Sequence, residues 1–229
     1  MKSLNKVFRK IKSIDYVGLF KTFLNDVFIF PMRLLSHPIK GFDELKNEKK
    51  GKMYVAIFYL FLMIVTQALL ATNGGFLLGR PNDPNYNILL GALYVIVPVV
   101  LISVGNWSIT ALLSGKGKIK EIFMVTCYAL APYVLLMLPL IIISHFLTLE
   151  ELSFYHALAA LAVGLLIYLV FFGYMVIHEY GLLKNVITIL LTFVALAVII
   201  FIGILLLTLY QTVAGFIKAV YEEFIMRIS

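Results

Sequence analysis

Charged residues are too few in this chain for a water-soluble fold. Asp, Glu, Lys and Arg make up 14% of 229 residues, while hydrophobic residues reach 62% and the mean hydropathy is +1.00. Soluble domains hold roughly 45–50% apolar residues, and a chain of this size could not hide the excess from water. Cysteine is almost missing: Cys127 alone excludes an intrachain disulfide and a cysteine-based zinc site. Acidic residues are scarcer than basic ones, 12 against 19, for a net charge of +7. In a soluble protein that balance would raise nucleic acid as a partner. Here the distribution of the charges carries the information, and no nucleic-acid partner is expected.

What is present in abundance is uncharged chain. Five stretches free of Asp, Glu, Lys and Arg are long enough to cross the roughly 30 Å hydrocarbon layer. They run over about Met53–Ala71, Ile88–Leu113, Ile122–Leu147, Ala157–Ile177 and Val186–Leu209. The fold class expected is all-α: a polytopic membrane protein of five transmembrane helices. Of the 19 Lys and Arg residues, 16 lie in segments 1–52, 114–121 and 178–185, and 3 in the alternate segments. Basic segments stay on the cytoplasmic side, so the expected topology has a cytoplasmic N-terminus and an extracytoplasmic C-terminus. The cell membrane is the expected location, and no secretory signal peptide is expected, because a charged stretch precedes the first apolar run.

Four regions follow. Residues 1–35 form a cytoplasmic, interfacial amphipathic region, in which Leu4, Val7, Phe8 and Ile11 recur at helical spacing among lysines. Within it, residues 16–35 are apolar, but Lys21, Asp26, Arg33 and Pro31 argue for a helix on the inner leaflet rather than a span. Residues 36–52 read as a polar, basic linker, and residues 53–209 as the five-helix domain. Residues 210–229 form an amphipathic helix that continues from or follows the fifth span outside the membrane, its apolar stripe including Phe216, Val220, Phe224 and Ile225. That stripe docks either on lipid or on a protein partner, and those four residues are the expected partner-contact face.

The segment Ser114-Gly-Lys-Gly-Lys-Ile-Lys-Glu121 invites comparison with a phosphate-binding loop. The motif requires Gly, four residues, then Gly-Lys-Ser/Thr; both possible frames fail at both ends, so no nucleotide is expected. The glycines permit a tight turn and the lysines hold it inside. Gln67 and Asn106 are the polar amides within spans, where a hydrogen bond to another helix is the commonest use. Pro98, Pro132 and Pro139 should bend spans two and three. The histidines, with Glu150 and Glu151, show no close ligand spacing, so no metal and no cofactor are expected. No catalytic motif is present, and the chain is not expected to be an enzyme.

Three elements together resemble the Yip family of Ypt/Rab-GTPase-interacting membrane proteins: Asn106-Trp107, Gly115-Lys116-Gly117 and Ala131-Pro132-Tyr133. The segments His37-Pro-Ile-Lys-Gly-Phe42 and His178-Glu-Tyr-Gly-Leu-Leu-Lys-Asn-Val-Ile187 extend the resemblance. It implies five spans with a cytosolic N-terminus. In eukaryotes it implies a role in vesicle traffic through Rab GTPases. This chain has no long acidic region before span one and carries the additional amphipathic helix, so it looks more like the bacterial branch. Some bacterial relatives look like companions of ABC-type sugar importers. The resemblance thus points to a non-enzymatic scaffold or accessory protein whose partners are the lipid bilayer and other integral membrane proteins, ABC transporter permease subunits among them. The bent spans and their polar groups leave a small transporter or channel as the alternative.

Overall fold

The computed structural model describes residues 23–78 and 86–228. The basic amphipathic pattern expected over the first twelve residues lies outside the described residues. In hydrocarbon every backbone N–H and C=O must be satisfied internally, which restricts membrane-crossing chain to helices or closed barrels. Among the described residues every regular element is helical, with no strand.

A π-helical segment, Asn25–Ile29, leads into α1 (Phe30–Ser36), followed by α2 (Pro38–Lys46). The spans are α3 (Met53–Thr72), α4 (Ile88–Leu112), the pair α5 (Ile119–Tyr128) and α6 (Ala131–Ile143), α7 (Leu152–His178) and α8 (Leu182–Ile228). Among the described residues, five helices are long and apolar enough to cross a membrane, with α5 and α6 counted as one. The expected spans are therefore present, with ends moved by a few residues. The larger differences are at the start of α7, which begins at Leu152, and in α8.

The turns sort the bundle into two ends. One bears Lys46, Lys50, Lys52, Lys116, Lys118, Lys120 and Lys184 and is called here the basic end. A hydrophobic cluster in that half joins Leu34, Phe42, Val55, Tyr59, Ile122, Val125, Tyr128, Leu169 and Ile177. A smaller one in the other half joins Leu70, Met137, Leu140, Ile141, Tyr155 and Ala162.

Residues 36–52 are not a plain linker. Within them α2 packs on α7, burying Phe42 and Leu45 completely or nearly so. Their spacing of three puts both on one helix face, while Lys40, Asp43 and Glu44 take the others. The preceding segment docks as well. Val27 and Leu34 are buried, whereas Phe28, Ile29 and Met32 are exposed. An element apolar on both its packed and its open side suits the edge of the hydrocarbon layer. The π-turn presents the Val27 carbonyl to the buried Tyr59 hydroxyl, which donates to it at 2.5 Å. Asp26 accepts from Lys52 Nζ at 2.6 Å and from the Tyr54 hydroxyl at 2.5 Å.

Span three is broken rather than smoothly bent. Pro132 stands in the first turn of α6, where its missing N–H costs nothing. The chain passes from α5 to α6 through Ala129 and Leu130, both buried. Pro98 and Pro139 lie inside continuous helices.

The fifth span and the amphipathic helix at residues 210–229 are one element, the first of the two arrangements expected. α8 runs for 47 residues without interruption. No proline breaks it, and its two glycines, Gly203 and Gly215, weaken it locally without ending it. Its first four turns bury Asn185, Thr188 and Thr192 against the bundle, and from Phe201 to Arg227 every residue is exposed.

Candidate functional site

At the basic end, α4 delivers Asn106, α7 delivers His178 and α8 delivers Thr192, all three buried. The Gly115–Gly117 turn closes over them. His178 Nε2 lies 3.0 Å from Asn106 Oδ1, and the Gly117 backbone N–H donates to His178 Nδ1 at 3.3 Å. Because Nδ1 accepts, the ring proton sits on Nε2 and is donated to Asn106. The Asn106 amide nitrogen then donates to Thr192 Oγ1 at 3.3 Å, and Thr192 donates onward to the Thr188 carbonyl at 2.8 Å. Each of these side chains donates to an acceptor, which is what a polar group at this depth requires.

The glycines of the turn are steric necessities. A Cβ on Gly117 would lie 2.4 Å from Ile177 Cγ2 and 2.7 Å from His178 Cε1. One on Gly115 would lie 2.7 Å from each of His178 Nδ1, Thr110 Cβ and the Tyr180 hydroxyl. Tyr180 stacks on His178 with ring centroids 5.3 Å apart and donates to the Leu113 carbonyl at 3.2 Å. Lys184 Nζ lies 4.2 Å from the centre of the other aromatic partner's ring, that of Tyr180, a cation–π contact.

Two lysines clamp the outer layer. Glu179 ends α7 in the left-handed conformation, φ 55° and ψ 42°. The Tyr180 N–H returns to the Met175 carbonyl at 2.9 Å and the Glu179 N–H to Val176 at 3.1 Å, a Schellman ending. Glycine usually fills that position. Here the carboxylate holds it, taking Lys116 Nζ at 2.5 Å and Lys46 Nζ at 2.9 Å. Lys46 also donates to the Ile177 carbonyl at 2.9 Å, placing a cation on the negative end of α7. The bonds from Lys116 and then Lys46 hold the Glu179 carboxyl down at about 2, from an ordinary 4.5.

Of the residues singled out in the sequence, Asn106, Gly115, Lys116 and Gly117 converge here. Trp107 is half exposed and makes no side-chain bond to the cluster among the described residues. Ala131, Pro132 and Tyr133 lie elsewhere, at the start of α6, where the Tyr133 hydroxyl accepts from Gln67 Nε2 at 3.1 Å and joins α3 to α6. Phe216, Val220, Phe224 and Ile225 are exposed on the far part of α8. Sequence reasoning missed Lys46, His178, Glu179 and Thr192. The segment beginning His178-Glu179-Tyr180 carried the one available signal, through its resemblance to a family. Among the described residues no group of three or more His, Cys, Asp and Glu could hold a metal.

This arrangement can seal and fix one end of the bundle. It offers neither an exposed nucleophile nor an open coordination position. An all-helical bundle with five membrane-length helices, closed at one end by a glycine turn on a buried His–Asn pair, defines a multi-pass membrane protein. The profile of the Yip1 domain matches residues 32–215, and the chain belongs to the Yip family. No curated protein and no solved structure matches it.

Two outcomes follow. Asn106→Leu leaves the His178 Nε2 proton buried without an acceptor and should cost about 1–3 kcal/mol. Asn185→Leu should cost less, about 0.5–1.5 kcal/mol: it removes the 2.9 Å bond from Asn185 Nδ2 to the Phe171 carbonyl but also removes Asn185 Oδ1, which is buried without a partner among the described residues. Thermal unfolding in detergent separates the two; equal losses would refute the account. For Glu179, the depressed acid stabilises the fold above 4.5, and this contribution fades as pH falls toward about 2. The melting temperatures of the wild type and Glu179→Gln should therefore differ at neutral pH and converge at the acid end of that window. The difference should shrink in high salt, since the carboxylate is half exposed.

Proposed function

We propose that this protein is a non-enzymatic scaffold of the cytoplasmic membrane that binds other integral membrane proteins through the far part of α8. The carrying observation is the continuity of that helix. At 1.5 Å per residue its 47 residues reach about 70 Å, while the hydrocarbon layer takes up about 30 Å. A stripe bearing Phe216, Val220, Phe224 and Ile225 could lie flat on a leaflet only if the helix bent where it leaves the bilayer. It has no proline or break there, so a protein surface beside the membrane is the better match. The Lys218–Glu222 and Glu223–Arg227 pairs on its polar side leave little net positive charge for anionic lipid.

The bundle supports the same reading. The polar groups of the spans that could have served a transported solute are consumed in helix-to-helix bonds: Asn106 with His178 and Thr192, and Gln67 with Tyr133. A permease subunit of an ABC-type importer is a partner of the right kind. The charge bias supports a cytoplasmic basic end, which puts the exposed part of α8 outside.

Mild-detergent pull-down with and without residues 210–229 tests the docking surface: the partners should be lost on truncation, and recovery of the same set would refute it. Trypsin added to intact cells tests the orientation. It should cut after Lys218 and spare Lys116 and Lys118; cleavage only after permeabilisation would reverse the topology.

A further inference from the structure

The bundle encloses a cavity of about 690 Å³ among all five spans. That volume falls within the roughly 300–1,000 Å³ of typical ligand sites. Among the described residues no Asp, Glu, Lys or Arg lines it. Its mouth opens sideways: Tyr94 of α4, Ile167 of α7 and Phe193 of α8 line it and are 79%, 60% and 62% exposed. These residues lie within spans, so the cavity faces hydrocarbon, not water. Its deep part is formed by Val99, Thr126, Leu130 and Tyr174, all buried.

The hydroxyls that reach the inner part of the cavity, those of Thr126, Tyr174 and Thr192, have no proton to offer. Thr126 donates to the Ile122 carbonyl at 2.9 Å, so in its 2.8 Å contact with Tyr174 the phenol is the donor. Thr192 donates to Thr188. An anionic or carbonyl oxygen pushed to this depth would meet acceptors only, at the full desolvation penalty of an unpaired polar group. Water fares little better, because an ordered molecule needs two to four polar partners. A saturated chain meets none of these costs. Toward the end of the bundle away from the lysines, the lining becomes more polar, with Gln67, Tyr86 and Tyr94. Tyrosines at that level suit the boundary between headgroups and hydrocarbon.

We infer that this cavity is a binding site for one acyl chain of a bilayer phospholipid. The lipid belongs to the leaflet at the end opposite the lysines. Its chain enters between α4, α7 and α8 and runs inward past Val99 and Leu130. Its ester and headgroup stay at Tyr86 and Tyr94. The lipid is thus a filler that completes the packing between α4 and α7.

Photocrosslinking tests the site. The full chain is reconstituted in phosphatidylcholine vesicles doped with a phosphatidylcholine that carries a diazirine at the end of one acyl chain. After irradiation, adducts are mapped by peptide mass spectrometry. Adducts are expected at Val99, Thr126 or Leu130, which bulk lipid cannot reach. Val170→Trp and Leu130→Trp, which fill the cavity from α7 and from the junction between α5 and α6, should lower deep labelling at least about tenfold. Labelling at exposed Phe201 and Leu205 should persist and report proper insertion. Adducts confined to Phe201, Leu205 and other outward side chains in the wild type would overturn the site, whatever the variants do. Deep adducts formed only by free diazirine-palmitate, in a parallel sample, would overturn the phospholipid as its source.

Discussion

The hydrogen bond between His178 and Asn106 is the constraint on which the basic end depends. It joins α7 to α4 inside the bundle, where neither partner could be left alone. Its polarity is set from outside, because the Gly117 N–H occupies the other ring nitrogen. The turn between α4 and α5 is thereby fastened to the end of α7, and Thr192 brings α8 into the same chain of donors. Four of the five spans are thus held in relation to one another by a handful of polar atoms. Apolar side chains fill the space between helices but select no register, since lipid tails offer them an equally apolar alternative. The polar chain supplies the register.

The glycines take their meaning from that bond. Gly115 and Gly117 lie within van der Waals contact of the imidazole, so the turn fits only without side chains. Lys116 projects between them to Glu179, which Lys46 holds from the other side. The same lysines that set the charge bias also tie α2, the turn and the end of α7 into one layer. Orientation and packing are thus written in the same residues.

Much of this was legible in the chain. The spans are visible because a charge in hydrocarbon costs kilocalories, so their absence marks membrane-length runs. Asn106 and Gln67 stood out for the same reason. The continuity of α8 was also open to reading, since nothing between Leu209 and Gln211 would stop a helix. The role of His178 was not, because a lone histidine before a turn looks identical whether it faces water or an amide on another helix. Nor was the burial of α2: Phe42 and Leu45 are outnumbered by charged neighbours, and only the position of α7 shows which face counts. The cavity arises from gaps between α4 and α7, and a gap has no residue to announce it.

α8 is braced only at its start. Asn185, Thr188 and Thr192 grip it, and from Phe201 to Arg227 every residue is exposed. A stiff rod held near one end is a lever. From Thr192 to Phe224 the arm is about 48 Å, against about 10 Å from Asn185 to Thr192. A small tilt about Thr192 is magnified nearly fivefold at the tip. Run the other way, a load on Phe224 arrives multiplied as torque on the Thr192–Asn106 joint. The exposed rod and the sealed turn are the two arms of one mechanical element.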